Sequence, residues 1–344
     1  MKKSIFQHIL GCIPAEPAHN IRLAGLRFAG TLPTGHWWIK QSLAPRQRNL
    51  DRNVFGLHFR NPIGIGAGID PNAQCIDEFA AMGFGFIEIG TVTCQPQPGT
   101  PRPRLQRLGK KQSFINNSGY PSKGMEYVLN RIRNRSKIAK DVVIGCCVGK
   151  LTATQRIDTP KEYLRVFRNM YQYVDFFTIN IANNSSAKRY APRSREEILQ
   201  LIEPLFEFRR GQLDYRPILL KISPDLTKEE IDTVVDILIE TPLDGIEAVA
   251  GSTGMAGNSP GAVSGAALTD RAISIVRYIS KRTEGNYPII GSGGMMTPEN
   301  VAAMIDAGAS LVALNSGIRE NGFKLLKQSC KHLAANSEPN AQIK

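Results

Sequence analysis

The chain has 344 residues, of which 42% are hydrophobic and 21% charged, and carries a net charge of +13. That composition belongs to a folded globular protein and excludes wholesale disorder. The length exceeds one small module and fits a large α/β domain with an appendage, or two ordinary domains. No apolar stretch approaches the roughly 18 residues a spanning helix needs. Met1-Lys2-Lys3-Ser4-Ile5-Phe6 begins like a secretory leader, but Gln7 and His8 interrupt the apolar run, so no leader is expected. Lys and Arg are spread along the whole chain rather than gathered in a basic stripe with interleaved aromatics, which argues against nucleic acid as a partner. The cysteines Cys12, Cys75, Cys94, Cys146, Cys147 and Cys330 lack zinc-ligand spacing. They read as reduced thiols of a cytosolic protein, and no metal site is expected.

Residues 1–45 stand apart from the rest of the chain. Ile5, Phe6, Ile9, Leu10 and Ile13 share one apolar face, a second short helix is predicted over about 19–29 after Pro14 and Pro17, and Trp37-Trp38 comes next. Two readings stay open here. The segment lies on a lipid interface, or it packs on the flank of the main body as an ordinary cap.

From residue 46 to 335 the chain alternates. Short apolar runs at 62–67, 84–90, 142–149, 176–181, 218–223, 245–250, 288–293 and 310–316 are each followed by an amphipathic stretch, at 76–82, 123–134, 160–173, 196–210, 227–240, 268–282, 298–307 and 323–335. Thr159-Pro160 predicts an N-cap and first helical position. Thr227 with Glu230 predicts a capping box, and Ile231, Val234, Val235 and Leu238 repeat at helical spacing. Runs apolar on both faces indicate parallel strands covered by helices. Eight such units predict a (β/α)8 TIM barrel with a short N-terminal helical arm. Residues 336–344 read as a polar tail.

Barrel enzymes place their chemistry at the C-terminal ends of the strands. The seventh run ends in Gly291-Ser292-Gly293-Gly294 and the eighth in Asn315-Ser316-Gly317, two neighbouring ends whose backbone can approach and bind a phosphate. Gly66-Ala67-Gly68 after the first run leaves room for a flat ring. Lys221 interrupts the apolar fifth run, where a cation needs an anion or a polarised ring beside it. Thr91, Asn116 and Asn180 are neutral hydrogen-bonding groups suited to a planar heterocycle. Phosphate, planar ring and lysine together predict FMN.

At these residues the sequence resembles the class 2, quinone-dependent dihydroorotate dehydrogenases. The resemblance covers about residues 4–335. It rests on Asn61-Pro62-Ile63-Gly64, Ala67-Gly68-Ile69-Asp70, the stretch from Gly83 to Thr93, Gln95-Pro96-Gln97-Pro98-Gly99, Pro103-Arg104-Leu105, Lys221-Ile222-Ser223-Pro224-Asp225-Leu226, Ser264-Gly265 and Gly308-Ala309-Ser310-Leu311-Val312. It implies FMN over the barrel mouth, hydride transfer from dihydroorotate C6 to flavin N5 with loss of the C5 proton to a base, and a membrane quinone entering between the N-terminal helices. By motif, it implies flavin contacts at Ala67, Gly68, Thr91, Asn116, Asn180, Lys221, Gly265, Gly293, Gly294, Ser316 and Gly317. Asn116 and Asn180 also face substrate, and His19 and Arg104 line the quinone tunnel. The arm then contacts the cytoplasmic face of a membrane peripherally.

Several substrate positions depart from the family pattern. The general-base serine falls on Asn183, an amide that cannot usefully accept a proton at neutral pH. Pro71 replaces a lysine, Cys147 an asparagine, Ala250-Gly251 an Asn-Thr pair and Asn315 a tyrosine, and the Asn116-Asn117-Ser118-Gly119-Tyr120 loop is rewritten. Ser185 or Ser186, with the loop realigned, or Cys147 could supply the missing base. The alternative is an FMN-binding paralogue with altered substrate or no turnover.

Overall fold

The apolar runs become eight parallel strands: β1 (Ile63–Ile65), β2 (Phe86–Val92), β3 (Val143–Val148), β4 (Phe176–Asn180), β5 (Ile218–Ile222), β6 (Gly245–Ala248), β7 (Ile289–Ser292) and β8 (Leu311–Leu314). Each pairs with the next in chain order and β8 pairs back to β1, so the sheet closes into a barrel without an edge. This computed structural model describes residues 13–47, 49–109, 112–182, 192–257 and 259–337.

Helices α1 (Ala15–Thr31) and α2 (Gly35–Leu43) precede the barrel. Around it lie α3 (Ile76–Ala81), α4 (Met125–Arg133), α5 (Thr159–Met170), α6 (Arg195–Arg210), α7 (Lys228–Glu240), α8 (Thr269–Arg282), α9 (Pro298–Asp306), α10 (Ser316–Asn321) and α11 (Lys324–Ser337). Helix α7 starts with the predicted capping box, in which the Thr227 side chain and Glu230 serve each other's backbone N–H groups. Helix α5 differs from expectation. A 3-10 turn over Arg156–Asp158 leads into it, so Asp158 is the N-cap and Thr159 is already helical. Helix α1 is also longer than the predicted 19–29, because Pro17 sits in its first turn, where a missing N–H costs nothing. Of the predicted apolar face before it, Ile5, Phe6, Ile9 and Leu10 lie outside the described residues.

The barrel interior is layered by the two-residue alternation of its strands. The lower layer is apolar: Phe59, Phe86, Phe176, Leu219, Ile290 and Leu311 pack as one cluster. Phe59 comes from a two-stranded antiparallel hairpin, Arg52–Val54 with Leu57–Phe59, that plugs the floor. Phe86 meets Phe59 edge-on at 5.9 Å and Phe176 at 6.1 Å between centroids. Two glycines make room for these rings. A Cβ on Gly145 would lie 2.2 Å from Phe176 Cζ, and one on Gly64 2.4 Å from the Phe86 ring. Gly145→Ala is therefore expected to destabilise the barrel by about 1–3 kcal/mol, the usual cost of overpacking a filled core. Urea midpoints of the two proteins check this, and an unchanged midpoint would show that the aromatic floor can shift.

One residue pair further along the strands the interior turns polar, with Glu88, Thr178, Lys221, Glu247 and Ser292 all buried. Above them a small antiparallel sheet, Leu105–Arg107 with Ser113–Asn116 with Ala262–Gly265, forms part of the rim. The sequence reads its first two strands only as a long loop.

Candidate active site

The strand ends enclose a cavity of about 580 Å³. Its walls include Gly66, Ala67 and Gly68 after β1, Gly90 and Thr91 of β2, Asn180 of β4, Lys221 of β5, Glu247 of β6, Ser292, Gly293 and Gly294 of the β7 end, and Asn315 and Ser316 after β8. Asn116 and Ser264 border it from the antiparallel sheet, His19 from α1 and Arg104 from the rim. Most of the predicted site residues thus meet in one place. Gly265 and Gly317 do not border the cavity; they shape its wall from behind. Asn183 and Ser185 lie outside the described residues.

Lys221 is only 8% exposed. Its Nζ lies 2.5 Å from Glu247 Oε1 and 3.6 Å from Glu88 Oε2. Burial opposes the ammonium, but Glu247 and then Glu88 outweigh it and hold Lys221 charged, above its ordinary range. Glu88 Oε2 also accepts the Ala67 N–H at 2.8 Å, tying the chain after β1 to the barrel interior. The second oxygens, Glu88 Oε1 and Glu247 Oε2, are buried without a hydrogen-bond partner among the described residues. Burial, and next the charge of Glu88, push the Glu247 carboxyl up to about 8 despite Lys221.

Asn180 and Thr91 are oriented together. Asn180 Nδ2 donates to Thr91 Oγ1 at 3.3 Å, while Asn180 Oδ1 accepts the Ala182 N–H at 3.0 Å. Thr91 Oγ1 is also 3.5 Å from Cys147 Sγ. Cys147 is fully buried in β3, off the cavity, and burial raises its thiol well above the ordinary value. Its Sγ faces Thr91 rather than the cavity.

Where β7 and β8 end, Gly293 and Gly294 adopt φ of 93° and 74°, which side chains other than glycine rarely take. The N–H groups of Gly293, Gly294 and Ser316 enter no backbone hydrogen bond among the described residues. Ser316 Oγ donates to Ser264 Oγ at 3.1 Å across the corner. A Cβ on Gly317 would sit 2.0 Å from the Met295 carbonyl oxygen, so only glycine lets α10 begin this close to the β7 turn. The corner offers free amides and hydroxyls and no carboxylate, the donor set an oxyanion needs.

On the arm side, His19 Nε2 is 2.9 Å from the Ile69 carbonyl and its Nδ1 has no partner among the described residues. Burial, then the charge of Arg319, lowers its pKa well below the ordinary value, so the ring is neutral. Arg104 Nε donates to the Thr100 carbonyl at 2.7 Å. Asn315 Nδ2 donates to the Ala67 carbonyl at 2.6 Å and Arg319 Nη2 to that of Gly68, so the chain against which a flat ring would lie is held from both sides.

Glu88, Glu247 and Arg319 are the participants the sequence reading missed. The signal for the first two was present: each interrupts an apolar run in the same inward phase as Lys221, and a buried lysine demands such partners. Arg319 carried no such signal: its acceptors are the Gly68 carbonyl and the Asn315 side-chain oxygen, not an acid in a strand.

Three comparisons bear on this geometry. The family profile described as dihydroorotate dehydrogenase matches residues 49–336. A dihydroorotate dehydrogenase (quinone) of Christiangramia forsetii is 34% identical over 333 residues, covering 95% of this chain and 97% of that protein. The same-named protein of Thermobifida fusca is 34% identical over 335 residues, covering 92% and 88%. Among solved structures, DHODH of Eimeria tenella in complex with ferulenol superposes with a TM-score of 0.78 at 25% identity, covering 92% of this chain and 90% of that one.

Proposed function

Since the chain belongs to the dihydroorotate dehydrogenase family, we propose that it oxidises dihydroorotate to orotate with FMN held across the barrel mouth and a quinone as the electron acceptor. The observation that carries this reading is the buried Lys221 cation on the floor of a cavity whose far corner is a cluster of amides and hydroxyls.

The residues fit FMN. The N–H groups of Gly293, Gly294 and Ser316, with the Ser264 and Ser316 hydroxyls, would hold its phosphate. Ala67, Gly68 and Thr91 would flank the ring; a Cβ on Gly68 would meet only Asn315 Nδ2, at 3.4 Å, so that face is open to a ligand. When bound, FMN supplies the hydride acceptor. Lys221 then places positive charge where the ring gains negative charge. Asn116 and Asn180 offer amide donors and acceptors to the substrate's ring edge. With Asn183 an amide and the Cys147 thiol buried behind Thr91, the serines Ser185 and Ser186 are the favoured proton acceptors of those predicted.

Residues 1–45 form the quinone- and membrane-facing arm on a barrel spanning 46–335 in this reading. His19 and Arg104 line the passage between arm and barrel. Phe28 and Trp38 of the arm are 67% and 62% exposed, and Leu32 and Trp37 are exposed beside them in sequence. No helix among the described residues is long and apolar enough to cross a membrane; the exposed aromatic residues favour peripheral contact, which we place on the cytoplasmic face. Replacing Trp37 and Trp38 by Ala is expected to weaken partitioning onto anionic liposomes at least about tenfold, given about 1.5–3 kcal/mol per buried large side chain. Cosedimentation measures it, and equal partitioning of the variant would remove the membrane contact.

The function itself is tested by anaerobic mixing with dihydroorotate. The flavin absorption band is expected to bleach as orotate forms, and to return on adding a quinone. A band that stays oxidised overturns the substrate assignment.

A further inference from the structure

Among the described residues, the polar layer of the barrel holds one cation and two carboxylic acids. Lys221 lies 2.5 Å from Glu247 and 3.6 Å from Glu88, so its single charge is shared. Each carboxyl has one oxygen left over, Glu88 Oε1 and Glu247 Oε2, buried and without a partner among the described residues. Glu247 is fully buried, yet it borders the cavity beside Lys221. Two buried carboxylates against one ammonium leave one negative charge uncompensated, and like charges that close resist joint ionisation. The remaining titratable neighbour facing them, among the described residues, is Cys147, which burial keeps neutral. Thr178, in the same layer, has an unpartnered Oγ1 but no charge to give.

We propose that Glu247, paired with Glu88 about Lys221, is a redox-linked proton site: it binds one proton when the bound flavin is reduced and releases it when the flavin is reoxidised. The inference rests on the FMN reading above. A hydride brings two electrons and one proton to the ring and leaves it one charge more negative. That new anion competes with the two carboxylates for Lys221, giving three negative groups to one cation. Glu247 restores the balance by forming one O–H bond with a proton from solvent, so the charge of the buried layer and ring together does not change. On reoxidation a quinone takes the hydride and one proton to become the quinol, and Glu247 returns to a carboxylate as its O–H bond breaks. Burial and Glu88 push the Glu247 carboxyl up to about 8, so the exchange is expected above that pH, where Glu247 is ionised before the ring is reduced. Glu247 thereby offsets the bias that Lys221 alone would give the reduced, anionic ring, and couples electron transfer to proton transfer.

The experiment is a potentiometric titration of the FMN-loaded protein, followed by flavin absorbance between pH 6 and 10. Over at least one pH unit in that range the slope of midpoint potential is expected to correspond to two protons per two electrons in the native protein. It is expected to stay at one, the hydride's own, throughout in Glu247→Gln. Glu88→Gln, which leaves Lys221 and Glu247 as a balanced pair, is also expected to show one, and stands in if Glu247→Gln does not fold. Proton uptake on anaerobic photoreduction, read with an indicator dye, gives the same count independently. A native protein that binds FMN with a one-proton slope throughout overturns this inference alone, as do variants that keep the native slope. A native protein that takes up no FMN overturns the flavin reading and this with it.

Discussion

Lys221→Met is expected to abolish FMN retention and to lower stability by about 3–5 kcal/mol, the range for breaking a buried ion pair by removing one partner. Methionine fills much the same volume, so packing is not the cause. What remains is Glu247 and Glu88, buried around a position that no longer carries charge. The deficit has a pH signature. Without the ammonium, the Glu247 carboxyl is held still further above the ordinary glutamate value in the folded state, because burial and the charge of Glu88 favour the neutral acid and nothing opposes them. The folded protein then binds more protons than the unfolded chain, so stability falls as pH rises. The penalty should be smallest near pH 4, where Glu247 is largely protonated in either state, and largest near pH 8. Urea melts at the two values measure it. A deficit independent of pH would mean the loss is one of packing, and FMN occupancy equal to that of the native protein would remove Lys221 from the cofactor site. Lys221→Met combined with Glu247→Leu supplies the control. With one acid gone and Glu88 still bonded to the Ala67 N–H, much of the stability should return, while FMN binding should not.

The same layer shows what could be read from sequence and what could not. The eight strands were legible because a parallel barrel buries both faces of each strand, which leaves continuous apolar runs and needs no knowledge of partners. Lys221 was legible because a cation inside such a run violates that pattern. Its counterions violate it too, and Glu247 is the register partner of Lys221 on the neighbouring strand. Recognising them required applying the same test to acids, not further data. The floor hairpin and the antiparallel rim sheet were harder. Their strands are only three or four residues long, too short for a periodic signal, and although the hairpin closes locally through Phe55-Gly56, the third rim strand joins across a large separation, Ala262 with Asn116. The start of α1 was misplaced because Pro17 reads as a boundary, although a proline in the first turn breaks no hydrogen bond. Arg319 and Asn315 bond to each other and each to a backbone carbonyl after β1. Such contacts depend on the path of the chain and leave little trace in residue type.

Gly317→Ala is expected to cost the protein its preference for FMN over riboflavin. In the native protein even two of the five donors, at about 1.5–3 kcal/mol for each charge-assisted hydrogen bond to the phosphate, would give at least about a hundredfold tighter binding of FMN, since about 1.4 kcal/mol is tenfold. Riboflavin has the same ring but no phosphate, so the ratio isolates the β7–β8 corner from the ring contacts near Lys221. A methyl at Gly317 would lie 2.0 Å from Met295 O and 2.7 Å from Leu325 Cδ2. The first is backbone and cannot rotate away, so the β7 turn that carries Gly293 and Gly294 must move, at a cost of about 1–3 kcal/mol or more in stability. Their N–H groups then no longer converge with the hydroxyls of Ser316 and Ser264. Affinity for FMN should fall toward that for riboflavin, with riboflavin binding itself little changed because Lys221, Thr91 and Ala67 are untouched. Fluorescence titration of apoprotein with the two flavins gives both constants. Native protein that binds riboflavin as tightly as FMN would mean the corner holds no phosphate, and a variant that loses both flavins equally would place the effect in the barrel as a whole rather than in the anion site.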